Sequence, residues 1–316
     1  MSPAIETAMT QPVILFSGQG AQKTGMARDW IESSATARAL ARQADETLGY
    51  SLTSIMFDGP EESLTATSRC QPALYLHGLI GLALLKERLP NFQPAAAAGL
   101  SLGEFTAHAA AGTFSFIDGL KLVSQRGTFM EESCKATDGA MAALIGGEEE
   151  KIRELAAATD VDVANLNAPG QIVLSGASAN IDAAVAQAKD FGIRRAVKLN
   201  VAGAYHSRLM AVAQEKLAAE LAGTAITTPS IPVVANFTAS PVSSVDEIRS
   251  TLTSQVTGSV RWIESIQHLV AQGHTLFIEI GPGKVLAGLV AKIAPDATVV
   301  SVEDIPSLEA AVEKLS

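Results

Sequence analysis

Cysteine is almost missing from this chain of 316 residues: Cys70 and Cys134 alone can build neither a disulfide framework nor a metal cluster. No metal is expected, and a reducing, cytoplasmic location fits that usage. Positive charge is also scarce. With 23 Lys and Arg against 33 Asp and Glu, the net charge is −10, which argues against nucleic acid as a main partner because phosphate binding needs a basic surface. The same field would repel an acidic protein partner at long range unless a local basic patch reverses it. Long apolar runs are lacking too. The strongest, over 74–85, is interrupted by His77, Gly78 and Gly81 and is too short to span a bilayer. It reads as a buried helix, with no membrane partner. The opening MSPAIETAMTQ has no basic segment leading into an apolar one, so secretion is not expected.

What is abundant is core-forming material. Hydrophobic residues make up 47% and charged residues 18%, enough for one large soluble domain or a domain carrying an insertion. Within it, Gly99-Leu100-Ser101-Leu102-Gly103 follows the apolar stretch 95–98 and runs into a helical stretch. A G-x-S-x-G sequence between a strand and a helix is the nucleophile-elbow pattern. Its glycines allow a tight turn and close helix–strand approach, so that a strained serine can project its Oγ at the edge of a sheet. Alone, the pattern also arises as a plain turn, so context has to decide.

The context is an alternation of strands and helices. A strand over 12–16 breaks into Ser17-Gly18-Gln19-Gly20, a loop that could offer donors to a ligand or be only a strand-to-helix turn. Helical stretches follow around Met26, Trp30 and Ile31, over 37–48, and from 67 to 85; the strand over 95–99 then delivers the elbow. A helix over 116–130 carries Arg126 near its C-terminal end, where a solvated charge is the default role. The order implies an α/β fold with a parallel sheet. Between 139 and 199 the pattern becomes strand, helix, strand, strand, helix, strand, the split-βαβ, ferredoxin-like order. Residues 137–202 therefore read as a small inserted subdomain, and 1–136 with 203–316 as a large hydrolase-like catalytic part, with a ligand cleft expected at their junction.

A serine hydroxyl needs a base within hydrogen-bond reach, and five histidines are available. His108 lies seven residues after Ser101 on one helix, a rise of roughly 10 Å and too far for contact. His77 and His268 sit in helical stretches as structural or surface groups, and His274 begins a strand. His206, in Gly203-Ala204-Tyr205-His206-Ser207, stands between the last strand of the insert and a helix, at the expected cleft mouth. It is the best base of the five. No aspartate between Ser101 and His206 stands out as a triad acid, so a triad and a dyad oriented by a backbone carbonyl are equally compatible with the sequence.

The collinear segments Phe16-Ser17-Gly18-Gln19-Gly20, Gln71-Pro72-Ala73, Gly99 to Glu104, Arg126-Gly127, Asn165 to Gln171, Gly203 to Ser207, Val260-Arg261-Trp262 and Gly281 to Leu286 cover nearly the whole chain. Through them the chain resembles the malonyl-CoA:acyl-carrier-protein transacylases of type II fatty acid synthesis, and more broadly the acyltransferase domains of polyketide and fatty acid synthases. The resemblance implies Ser101 as the acylated nucleophile and His206 as general base and acid. It implies an oxyanion hole from the backbone N–H groups of Gln19 and Leu102, and Arg126 as a clamp for the malonyl carboxylate. It also implies that Gln255 orients His206 through its carbonyl. Malonyl-CoA and acyl carrier protein would be the partners, no bound cofactor is needed beyond the coenzyme A thioester and the carrier's phosphopantetheine, and a monomer is expected. Tyr205 beside the histidine resembles the malonyl-selective pattern.

Ser17, Glu131 and Ser259 depart from residues common in the family; Glu131 matters most, since a carboxylate near Arg126 could compete for it. An acidic carrier would require a basic rim, for which Arg194, Arg195, Lys198, Arg208 and Lys284 are candidates if they are more than scattered solvated charges. Rival readings are a serine esterase or thioesterase, in which water resolves the acyl-enzyme and Arg126 has no role; a transacylase of a polyketide or polyunsaturated-lipid pathway; and a non-catalytic carrier-docking protein.

Overall fold

The structure, a computed structural model, describes residues 11–316. Its strands are β1 (Val13–Phe16), β2 (Ala96–Gly99), β3 (Gly139–Ile145), β4 (Asp162–Ala168), β5 (Gln171–Ala177), β6 (Arg195–Lys198), β7 (Val233–Val234), β8 (Pro241–Val242), β9 (Leu276–Ile280) and β10 (Thr298–Val302). Six of them form one sheet in the order β10-β9-β1-β2-β7-β8. Its neighbours run parallel except at the β7–β8 edge. The protein is therefore a mixed α/β fold built on a mainly parallel sheet, as the alternation of elements implies.

β1 is Val-Ile-Leu-Phe, buried along its whole length, the reading of a strand covered on both faces. Alternate side chains point to opposite faces. Ile14, Phe16, Ala97 and Ile278 pack under Trp30 and the buried helix Thr67–Arg88. Val13, Leu15, Ala96 and Phe277 pack under Trp262, Ile266, Leu286 and Val290.

The remaining strands form a four-stranded antiparallel sheet in the order β4-β5-β3-β6. Helices Glu149–Ala158 and Ser178–Gln187 set Ile152, Leu155, Ile181 and Ala184 against Leu144, Leu166 and Leu174. The second sheet is tied to the segment leading into helix Trp262–Ala271 by Leu166 N–H to Val260 O (2.9 Å) and Val260 N–H to Ala164 O (2.8 Å).

Several elements differ in extent from expectation. The helix expected over 116–130 is Phe116–Ala136, which places Arg126 at mid-helix rather than near the C-terminus. The helix over 67–85 runs on to Arg88. The stretch 179–191 divides into helix Ser178–Gln187 and a 3-10 turn Ala188–Phe191. Short helices Leu52–Asp58 and Glu61–Thr65 were not expected, because neither is long enough to display a repeat, although Ser51 caps the first by accepting from Ser54 N–H at 3.2 Å.

Glycine is obligatory where the sheet meets the helix Leu102–Ala110. A Cβ on Gly103 would lie 2.1 Å from Phe16 O, and one on Gly99 would lie 2.0 Å from Gly103 O. Both obstacles are backbone, so neither can swing away. Gly288, within helix Val285–Ile293, meets nothing within 4 Å. Gly103→Ala should destabilise the protein by about 3 kcal/mol or more, while Gly288→Ala should stabilise it by about 0.5–1 kcal/mol; chemical denaturation of the two variants measures the contrast.

Candidate active site

Parallel pairing of β1 with β2 puts their C-terminal ends side by side, which is where α/β sheets bind ligands. The loop after β1 and the turn after β2 press together: a Cβ on Gly18 would meet Leu100 O at 2.4 Å. Ser101 ends that turn at φ 55°, ψ −105°, a costly region for a residue with a side chain. Asn236 holds it there from beyond β7. Its Oδ1 accepts the Ser101 N–H at 2.6 Å and its Nδ2 donates to Gly99 O at 2.8 Å.

Ser101 Oγ lies 2.7 Å from His206 Nε2. His206 Nδ1 is 2.8 Å from Gln255 O, and a carbonyl can only accept. The proton is therefore on Nδ1, which leaves the Nε2 lone pair to accept the serine hydroxyl. The Gln255 carbonyl is free for this because it caps helix Val245–Ser254, where the last carbonyls have no partner within the helix. Burial, reinforced by the charge of Arg126, pushes the imidazole down to about 4, so it is neutral at neutral pH.

Arg126 is 1% exposed. Nη1 donates to Gln71 Oε1 (2.7 Å), while Nη2 donates to Gln255 Oε1 (2.8 Å) and Ser101 Oγ (3.1 Å). Its guanidinium carbon stands 5.2 Å from the centre of the Phe105 ring, and its Nε has no partner among the described residues. Burial lowers its proton affinity to about 10, against the opposing pull of Glu104, which leaves it a cation at neutral pH. Gln255 Nε2 donates to Ser101 O (2.9 Å) and to Glu104 Oε2 (2.6 Å). Glu104, fully buried, is itself pushed up to about 7 by that burial.

The backbone N–H groups of Gln19 and Leu102 engage no acceptor among the described residues, and that of Leu102 opens a helix, where such donors point outward. The Gln19 side chain is fixed, accepting from Thr67 Oγ1 at 2.5 Å. Gln19, Gln71, Ser101, Arg126, Tyr205 and His206 line a cavity of about 90 Å³. A larger cavity of about 580 Å³ lies at the opposite ends of β1, β9 and β10, where Pro12, Leu276 and Thr298 line it with no histidine among the described residues to serve as a base. Chemistry rather than size marks the site.

All six residues singled out in the sequence thus meet here. Asn236, Glu104 and Gln71 were not assigned a role. Glu104 carries one available signal, as the lone carboxylate on the elbow helix; Asn236 carries none. Glu131 does not compete for Arg126, since its oxygens are held by Lys135 Nζ (2.7 Å) and Ser68 N–H (3.3 Å). Ser17 is buried with its hydroxyl unpartnered among the described residues, and Ser259 Oγ donates to Val163 O. His77 is buried against Trp30 and His108 against Thr113. Two of the five rim cations are already paired: Lys198 with Asp182, and Arg208 with Asp160 and Asp162.

A serine hydrogen-bonded to a neutral imidazole at the C-terminal edge of a parallel sheet, beside two unengaged N–H groups, is the arrangement of an α/β acyl-transfer enzyme. The family model of the acyl transferase domain matches residues 13–311. A malonyl CoA-acyl carrier protein transacylase of Bacillus subtilis is 41% identical over 97% of this chain and 98% of its own length. The acyl-carrier-protein-S-malonyltransferase structure from Bartonella henselae superposes with a TM-score of 0.93 at 36% identity, covering 96% and 99% of the two chains. A structure described as a type II PKS acyl-carrier protein in complex with its malonyl-transacylase gives 0.92 at 34% identity over 96% of this chain and 100% of that one. The chain belongs to the malonyl CoA-acyl carrier protein transacylase family of acyl transferase domains.

The placement of His206 predicts that its imidazole titrates near pH 4 rather than near its ordinary value of 6.5, and that Arg126→Met moves the titration upward by removing a facing cation. Imidazole NMR measures both; titration near 6.5 in the unmodified protein would contradict the burial argument.

Proposed function

We propose that this acyltransferase moves a malonyl group from malonyl-CoA to the phosphopantetheine thiol of acyl carrier protein, through a malonyl-Ser101 intermediate, and so supplies fatty acid elongation. The observation that carries the reading is the fully buried Arg126 with one Nη2 bond to the Ser101 hydroxyl. A guanidinium without a facing ligand is costly to bury, and its planar fork matches a carboxylate. An acyl chain on Ser101 that ends in a carboxylate would reach it, whereas an acetyl group would leave it unmatched.

In this reading His206 Nε2 takes the Ser101 proton as Oγ attacks the thioester carbonyl. The N–H groups of Gln19 and Leu102 receive the developing oxyanion, each such donor being worth about 2.7–4 kcal/mol. The tetrahedral adduct collapses, the C–S bond breaks, and the imidazolium returns the proton to the departing coenzyme A thiolate. The carrier's thiol then gives its proton to His206 and attacks the malonyl ester; the ester C–O bond breaks, and the imidazolium returns the proton to Ser101 Oγ. Gln255 keeps the imidazole in the required tautomer throughout. The side chains invoked need neither a metal nor a bound cofactor; coenzyme A and phosphopantetheine enter as parts of the substrates.

We further read residues 137–202 as an inserted ferredoxin-like subdomain, supported by the strand order β4-β5-β3-β6 with two helices on one face, and the turn at Ser101 as a nucleophile elbow, supported by its positive φ. We take the working unit to be a monomer, and the scarcity of cysteine fits a cytoplasmic location.

Intact-protein mass spectrometry after brief exposure to malonyl-CoA should show a malonyl adduct that disappears in Ser101→Ala, and Arg126→Ala should lose the preference for malonyl-CoA over acetyl-CoA. Free coenzyme A accumulating without an adduct would instead indicate a hydrolase. For the carrier, Arg194 and Arg195 are exposed and enter no ion pair among the described residues. Neutralising both should raise the carrier's KM and flatten its dependence on salt, with unchanged values in steady-state kinetics removing them from the docking surface.

A further inference from the structure

Gln255 and Asn236 hold the reacting residues, and both lean on one atom, Gln255 through its side-chain amide and Asn236 through its backbone N–H. Glu104 Oε2 accepts from Gln255 Nε2 at 2.6 Å and from Asn236 N–H at 2.9 Å. Gln255 and Asn236 then part company. The Gln255 side chain reaches Arg126 and its carbonyl reaches His206, while the Asn236 side chain brackets Ser101.

An amide can present either end to a neighbour, and only one end can accept from a guanidinium. Glu104 Oε2 and Ser101 O are both acceptors, and both face Nε2 of Gln255. Together they turn Oε1 toward Arg126 Nη2. Reversal of the amide would set its donors against those of Arg126 and push the guanidinium away from Ser101. We propose that Glu104 is a positioning residue for donor selection: it fixes the Gln255 amide and thereby holds Arg126 where a carboxylate on the acyl group can reach it. The proposal rests on Arg126 being the carboxylate clamp. It assigns Glu104 no contact with the acyl donor and no proton in the reaction. The other oxygen, Oε1, is buried without a partner among the described residues, so the contacts that matter are concentrated on Oε2.

Substitution separates the acceptor atom from the charge. Glu104→Asp keeps the charge but withdraws the carboxylate by one methylene, beyond hydrogen-bond reach of Gln255. Glu104→Gln loses the charge and keeps an oxygen that can accept from both partners. The readout is the ratio of kcat/KM for Ser101 acylation by malonyl-CoA to that by acetyl-CoA, on protein shown to be folded by its thermal midpoint. Glu104→Asp should lower the ratio by about tenfold or more, the scale of loss expected when a binding group is misplaced by a fraction of an ångström to an ångström, and Glu104→Gln should restore most of it. A purely structural role would slow both donors alike and leave the ratio unchanged, which would overturn the proposal. Loss of the ratio in Glu104→Gln equal to that in Glu104→Asp would overturn it too, by showing that an acceptor oxygen at this position does not suffice. If Glu104→Asp does not fold, Glu104→Met, which fills similar volume without an acceptor, takes its place with the same expectation. Wild type and Arg126→Ala run alongside: absence of malonyl preference in wild type would defeat the functional reading itself, whereas preference in wild type that survives Glu104→Asp defeats only this inference.

Discussion

Ser101 occupies a backbone conformation that a residue with a side chain avoids, φ 55° and ψ −105°, and much of the surrounding structure serves to keep it there. Such a position costs on the order of 1–3 kcal/mol and persists only where its surroundings over-determine it. Here they do. β2, which ends two residues before the serine, is clamped between β1 and β7; the helix that follows can leave at once because glycines at 99 and 103 let its first turn lie against β1; and Asn236 bonds to the chain on both sides of the strained peptide. The result is a hydroxyl standing clear of the sheet edge and an N–H at the following residue, the first of the helix, left without an acceptor.

The second constraint is charge. A guanidinium is buried beside the serine, and its position explains features that would otherwise be unrelated. It keeps the imidazole neutral by adding to the effect of burial. It also needs neutral acceptors, because an ordinary ion pair would satisfy it permanently and leave nothing for a ligand to match. Gln71 and Gln255 supply those acceptors. The facing carboxylate, Glu104, acts across the Gln255 amide rather than against Arg126, and Glu131 is turned away toward Lys135. The cation is held in place with its charge uncancelled by direct contact.

The parts of this arrangement that were legible in the sequence are those with local grammar. G-x-S-x-G between a strand and a helix announces its own turn. Val13 to Phe16 has no polar position and must be buried on both faces. The change of rhythm after Gly139 separates the antiparallel sheet from the parallel one. Arg126 was harder: its helix pattern continues smoothly past it, so nothing local distinguishes a buried guanidinium from a solvated one, and only the family resemblance pointed to it. Asn236 was invisible because its partners, Gly99 and Ser101, are more than 130 residues away. The short helices at 52–58 and 61–65 escaped for a different reason, being held by capping and tertiary contact rather than by a repeat. Periodicity reveals which face of an element is buried; it cannot reveal which distant amide a buried carboxylate will choose.

The absence of an acidic third member behind His206 follows from the same electrostatics. The partner of Nδ1 must be an acceptor, so that the proton stays on that nitrogen and Nε2 faces the serine. An aspartate would meet that need, but it would sit within the field of a buried guanidinium that has no carboxylate in contact with it. Its charge would stabilise Arg126 in the resting site and so weaken any advantage to a substrate carboxylate. A helix-terminal carbonyl, that of Gln255, fixes the same tautomer with only a fractional charge. In the proposed transfer the imidazolium is consequently less stabilised than beside an aspartate, which favours prompt return of its proton to the leaving thiolate. A thiolate is a far better leaving group than an amine and needs less help from a strongly held acid. The proposed carbonyl-oriented dyad is thus suited to thioester exchange, and the cation beside it is, in the same proposal, reserved for the acyl group.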